Sequence, residues 1–170
     1  MEQIVQLNSQ AKLSEHFTLG EFTRSGSHPE VYNIPSHEAI ANLKRLCVWL
    51  EELRRRYNDK YGVGEEPIRI NSGYRSPQLN RAIGGASNSN HLTGCAVDIR
   101  VENMEQLIRY AAILLDISND TKQDFDELLI EKNRHGAIWL HFAVRPKDRS
   151  ATQGDTCQSK NRRKVAFINA

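Results

Sequence analysis

A chain of 170 residues, 39% hydrophobic and 26% charged, has the length and composition of one folded domain with a single core. Its net charge of +2 is too small to argue for nucleic acid, and no apolar run approaches the roughly 20 residues that span a bilayer. Neither nucleic acid nor membrane is therefore an expected partner. Cys47, Cys95 and Cys157 are odd in number and far apart, which excludes a disulfide framework and points to a reducing compartment. The opening MEQIVQLNSQ has no basic segment followed by an apolar one, so the expectation is an unexported, cytoplasmic product and a monomer.

Residues 1–35 read as loop-rich, with Phe17, Leu19 and Phe22 as anchors onto the main body. Ser36 is placed to cap a helix running to about Asn58, because Ile40, Leu43, Leu46, Cys47, Leu50, Leu53 and Tyr57 recur every three or four positions. The charged stretch Glu51–Arg56 is then mostly its solvated face. After a turn at Gly62–Glu66, Pro67–Asn71 reads as a strand. Ser72–Gly94 is rich in Gly, Ser and Asn and lacks apolar periodicity; so long a loop inside a compact domain is expected to be functional.

Ala96–Val101 is a sharply alternating strand, and a second helix begins at Asn103 with Gln106 as its capping-box partner. Leu107, Ala111, Leu114 and Leu115 mark its buried side. Phe125–Glu131 and Ala137–Val144 read as a hairpin joined at Lys132–Gly136. The fold class expected is α+β, two main helices packed on a small antiparallel sheet, with one domain over residues 1–146. The basic tail 147–170, with Lys160, Arg162, Arg163 and Lys164, is expected to be solvated and mobile, with Val165–Ile168 as an alternative edge strand.

Chemistry concentrates at three positions. Alternation sets Val97, Ile99 and Val101 on one face of their strand and Ala96, Asp98 and Arg100 on the other. A carboxylate there must be solvated, paired (with Arg100 or another cation) or metal-bound, because an unpaired buried charge is costly. His91 lies seven residues before it, with Gly94 between to permit a sharp turn. In the last strand Ile138, Leu140, Phe142 and Val144 share one side, and Ala137, Trp139, His141 and Ala143 the other. Two such strands side by side present Asp98 and His141 to one cleft. Two histidines and an aspartate make a three-ligand zinc site with a fourth position open, the catalytic arrangement. His16, His28 and His37 read as solvent-exposed, and Cys95 as pointing away from Asp98.

The segments Ser72-Gly-Tyr-Arg-Ser76, Ser89-x-His91-x-x-Gly94-x-Ala96-x-Asp98 and Trp139-x-His141 occur in that order. Together with Leu13–Phe22, they resemble the zinc D-Ala-D-Ala carboxypeptidase family, which shares its fold with the hedgehog signalling domain and several phage endolysins. The resemblance spans roughly residues 13–146. It implies one zinc ion on His91, Asp98 and His141, Arg75 on the substrate carbonyl or terminal carboxylate, and Ser89 lining the site. The implied substrate is the stem peptide of peptidoglycan, cut as a carboxypeptidase, an endopeptidase or a phage-type lysin that reaches the cell wall after release.

One departure stands out. Many members of that family carry the catalytic acid three residues before the last histidine, where this chain has Ile138. The hedgehog-like branch instead puts a glutamate at the end of the preceding strand, which aligns with Glu131. Glu131 is therefore the expected base, Glu127 the fallback, and Asp126 less favoured. His135, in the hairpin turn, is a candidate oxyanion stabiliser, and Tyr74 and Trp139 are candidate walls of the substrate groove. The rival reading is a non-catalytic zinc module of the same fold that binds cell wall or a protein.

Overall fold

The computed structural model describes residues 7–146 and 163–170. The elements in chain order are α1 (Leu19–Thr23), α2 (His37–Tyr61), β1 (Ile70–Ser72), α3 (Pro77–Ala82), a short 3-10 helix (Asn90–Thr93), β2 (Ala96–Arg100), α4 (Met104–Thr121), β3 (Phe125–Lys132), β4 (Ile138–Val144) and β5 (Lys164–Asn169). The expected α+β class holds.

Both long helices start where their caps place them. Ser36 Oγ accepts the Ala39 amide at 3.1 Å, and Asn103 Oδ1 accepts the Gln106 amide at 2.9 Å. Gln106 Oε1 reaches back to the Glu102 amide at 2.8 Å, closing the N-terminus of α4. The periodic stripe of α2 (Leu43, Leu46, Cys47, Leu50 and Leu53) is fully buried, and Leu107, Leu114 and Ile117 of α4 join it. Each such leucine contributes about 1.5–3 kcal/mol of gross transfer free energy, so the stripe fixes the helix against the sheet. Phe17 and Phe22 pack edge-to-face with centroids 5.9 Å apart and anchor the N-terminal segment.

The sheet has five strands in the order β1-β2-β4-β3-β5. Its first four are antiparallel neighbours; β5 runs parallel to β3. Val97, Ile99, Leu140 and Phe142 face the helices and are solvent-free. The opposite face carries Asp98 and His141, as the alternation requires.

Two expectations change. The sheet is mixed rather than antiparallel, and the domain runs past 146, because the alternative reading of the tail holds: Lys164–Asn169 is an edge strand on β3, exposed along much of its length. The basic run masked the pattern, although Arg163 is what pins the strand: its Nε donates to Asp124 Oδ1 at 2.8 Å and its guanidinium lies 5.0 Å over the Phe125 ring. Lys160 and Arg162 lie outside the described residues. The long segment 72–94 is not featureless either, since it holds α3 and the 3-10 helix, the latter packed on α2 and β2.

Candidate metal and active site

His91 is placed by two local devices. Ser89 Oγ accepts the His91 amide at 3.3 Å and starts the 3-10 turn. Gly94, at φ +76°, ends it, where a Cβ would stand 2.5 Å from the Ala39 carbonyl oxygen. Only glycine supplies both the left-handed backbone and the close approach to α2. The chain then enters β2, which pairs Asp98 directly with His141 of β4.

The three side chains converge. One ligand atom from each of His91, Asp98 and His141 lies within 4.8 Å of the others. His91 Nε2 is 3.3 Å and His141 Nδ1 2.9 Å from the same oxygen, Asp98 Oδ1. All three residues are buried, at 2%, 7% and 6% exposure. The second nitrogen of each ring is also held: His91 Nδ1 donates to the Gly73 carbonyl at 2.6 Å, and His141 Nε2 meets Glu127 Oε2 at 2.9 Å. Each imidazole is thereby oriented with its other nitrogen directed at the cluster, the outer contact that ligating histidines ordinarily make. The donor set therefore fits zinc: two borderline nitrogens and one carboxylate oxygen at a single point.

Electrostatics follow from this crowding. Burial pushes the Asp98 carboxyl up, but His91 and His141 beside it prevail and hold it well below the usual carboxylate range. Burial lowers His141, yet its hydrogen bonds to Asp98 and Glu127 win and bring it to about 9. Glu127 is held down by its hydrogen bond to His141, against burial and with help from Asn90. Glu131 differs: burial and the nearby Asp98 raise it, against the milder pull of His141, Trp139 and His91. Two glutamates four residues apart on one strand are thus driven in opposite directions.

Glu127, Leu129 and Glu131 of β3 lie opposite Ala143, His141 and Trp139 of β4, so all share the cleft face. Glu127 sits on the outer nitrogen of His141, the place of an orienting group rather than of a base. Glu131 stands further along the cleft and accepts the indole N–H of Trp139. Asp126 Oδ2 accepts from the Asn90 side-chain Nδ2 at 2.8 Å and does not line the cleft.

Arg75, not Arg100, is the cation paired with Asp98, Nη2 to Oδ2 at 3.0 Å. Burial lowers the Arg75 guanidinium, with Asp98 and Glu131 opposing. Arg75, Ser89, Glu131 and Trp139 all line a cleft of about 530 Å³ with the three candidate ligands. Two expectations are corrected. Tyr74 is 8% exposed and belongs to the core, where its amide donates to the Phe22 carbonyl at 2.7 Å, so it does not wall the groove. His135 is exposed in the hairpin turn beside Arg134 and does not reach the cleft, because the turn projects beyond the sheet. A larger concavity around Trp49, Glu51 and Arg54 lies away from this cluster, and among the described residues it gathers no set of metal-binding donors.

Sequence reading missed the two acceptors behind the histidines. A backbone carbonyl such as that of Gly73 has no residue signature, whereas Glu127 was marked by sharing strand parity with Glu131.

Residues 15–124 match the family model Peptidase M15. The chain is also 32% identical over 96 residues to the Zinc D-Ala-D-Ala carboxypeptidase of Streptomyces albus G, an alignment covering 56% of this chain and 35% of that protein. The chain thus spans about a third of that relative's length. It belongs to the Peptidase M15 family, and its α+β fold agrees. The family match stops before β3, so Glu127, Glu131, His141 and β5 all lie beyond it.

Proposed function

We propose that the chain is a zinc-dependent peptidase that hydrolyses D-amino-acid-containing stem peptides of peptidoglycan. The observation carrying this is the convergence of His91, Asp98 and His141, each histidine held from behind, with Glu131 on the same cleft face. The name of the Streptomyces relative supports the choice of D-alanyl peptides. When bound by these three side chains, zinc supplies Lewis-acid polarisation of the scissile carbonyl and acidifies the attacking water.

The chain's own residues do the rest. Glu131, its carboxyl raised by burial, accepts the proton of the attacking water and delivers it to the leaving amine. Arg75, fixed by Asp98 and Ser72, turns its remaining N–H donors to the developing oxyanion or to a terminal carboxylate. Glu127 and the Gly73 carbonyl keep the two imidazoles in one tautomer and one orientation.

The non-catalytic zinc module is the second reading, favoured by Ile138, an apolar residue where many relatives carry their acid. Incubating wild type and Glu131→Gln with purified peptidoglycan and stem pentapeptide separates the two. The peptidase reading expects wild-type hydrolysis and a loss of about 10²–10⁴-fold in kcat for the variant, with zinc retained by both. Zinc retention without cleavage by wild type supports the binding module instead. Analysis of the released fragments by mass distinguishes removal of a terminal D-Ala from cleavage within a cross-link.

A further inference from the structure

The cleft has a wall that the family match does not reach. In β5, Lys164 pairs with Glu127 of β3, Ala166 with Leu129, and Ile168 with Glu131. Because those β3 residues face the cleft, alternation puts Lys164, Ala166 and Ile168 on the same side. Lys164 and Ile168 do line the cleft with the metal-binding cluster.

The wall is fixed at both ends. Arg163 is tied to Asp124 and stacked on Phe125, and the Ala170 amide donates to the Lys132 carbonyl at 2.8 Å. Lys164 is exposed, and its register partner Glu127 directs Oε2 to His141 and Asn90. Among the described residues no ion pair ties the Lys164 ammonium to that carboxylate, although its charge helps hold Glu127 down.

Arg75 marks the opposite side, bonded to Asp98 of β2. From β2 to β5 is three strand spacings, about 14 Å. An extended peptide crosses that distance in about four residues. The two cations thus bracket the metal cluster at the span of a short peptide with two negative groups.

Resting on the peptidase reading, we propose that Lys164 is a substrate-binding residue that takes a free internal carboxylate of the peptide. The cleft then selects short anionic peptides in which that carboxylate lies three or four residues from the group held by Arg75. In a stem pentapeptide the glutamate carboxylate stands in this relation to the terminal one.

The test is steady-state kinetics of the zinc-loaded full chain on a stem pentapeptide with its glutamate carboxylate free, and on the same peptide amidated there. Wild type is expected to show a KM about two- to fivefold lower for the free acid, as one exposed ion pair provides. K164M is expected to lose that preference and K164R to keep it. Dissociation constants measured by calorimetry with zinc-loaded E131Q are expected to show the same difference of about two- to fivefold. Hydrolysis of both peptides by wild type with equal KM overturns the role of Lys164 and leaves the peptidase reading standing, without reliance on any variant. A K164M chain that retains the wild-type preference overturns it equally. Hydrolysis of neither peptide removes the peptidase reading, and this inference with it.

Discussion

At the scale of single residues, the site is a problem of aiming. A histidine has two nitrogens, and which one faces a metal depends on what holds the other. Here Gly73 holds His91 from a loop and Glu127 holds His141 from the neighbouring strand. Glu127→Ala frees the outer nitrogen of His141, and zinc affinity is expected to fall about 10–100-fold. Competition against a chromogenic chelator measures this, and an unchanged dissociation constant would remove Glu127 from the orienting role. Glu131→Gln is expected to leave that affinity intact while abolishing turnover, so the two glutamates separate by experiment. Strand alternation marked Asp98 and His141 and spacing marked His91, whereas Arg75 and Glu131 were candidates only through the resemblance of their segments to the family's motifs. The sequence left Glu127 as a rival base, since parity shows that two strand residues share a face but not which of them a histidine ring will meet.

At the scale of elements, one turn and the strand it feeds decide whether the residues meet. Gly94 brings the 3-10 helix carrying His91 under α2 and into β2. Gly94→Ala combines a strained left-handed backbone with a contact against the Ala39 carbonyl. A loss of about 2 kcal/mol or more is expected in urea unfolding, at the upper part of the range for backbone strain alone. Stability equal to wild type would show that the turn has slack. The long helices and the β3–β4 hairpin were legible from periodicity and capping residues, to within a few residues at their ends. The strand β5 was legible only as an alternative, because Arg163 and Lys164 read as solvent-seeking. In the fold, one of them packs on an aromatic ring and the other faces a cleft.

At the scale of the whole molecule, the two long helices cover one face of the sheet and leave the other to chemistry. The two helices are tied by charge as well as by core: Arg56 bonds both Glu52 within α2 and Asp120 of α4, each at 2.6 Å. The hydrogen bond from Arg55, joined by Arg56 and opposed by partial burial, lowers the Glu52 carboxyl from 4.5 to about 2. A carboxyl depressed on folding stabilises above its unfolded value and loses that contribution as pH falls through its folded one. The melting temperature of Glu52→Gln is therefore expected to lie below wild type at neutral pH and to converge with it between about pH 4.5 and 2. Parallel melting curves across that window would exclude Glu52 from the acid response.

The proposed zinc site joins His91 of the 3-10 helix to Asp98 and His141 of two neighbouring strands. It is tested most directly by zinc titration of the chelator-stripped chain, followed by calorimetry, for wild type and His141→Ala. One equivalent bound tightly by wild type, with affinity lost by orders of magnitude in the variant, is the expected result. No zinc bound by wild type, or equal binding by both, would contradict it.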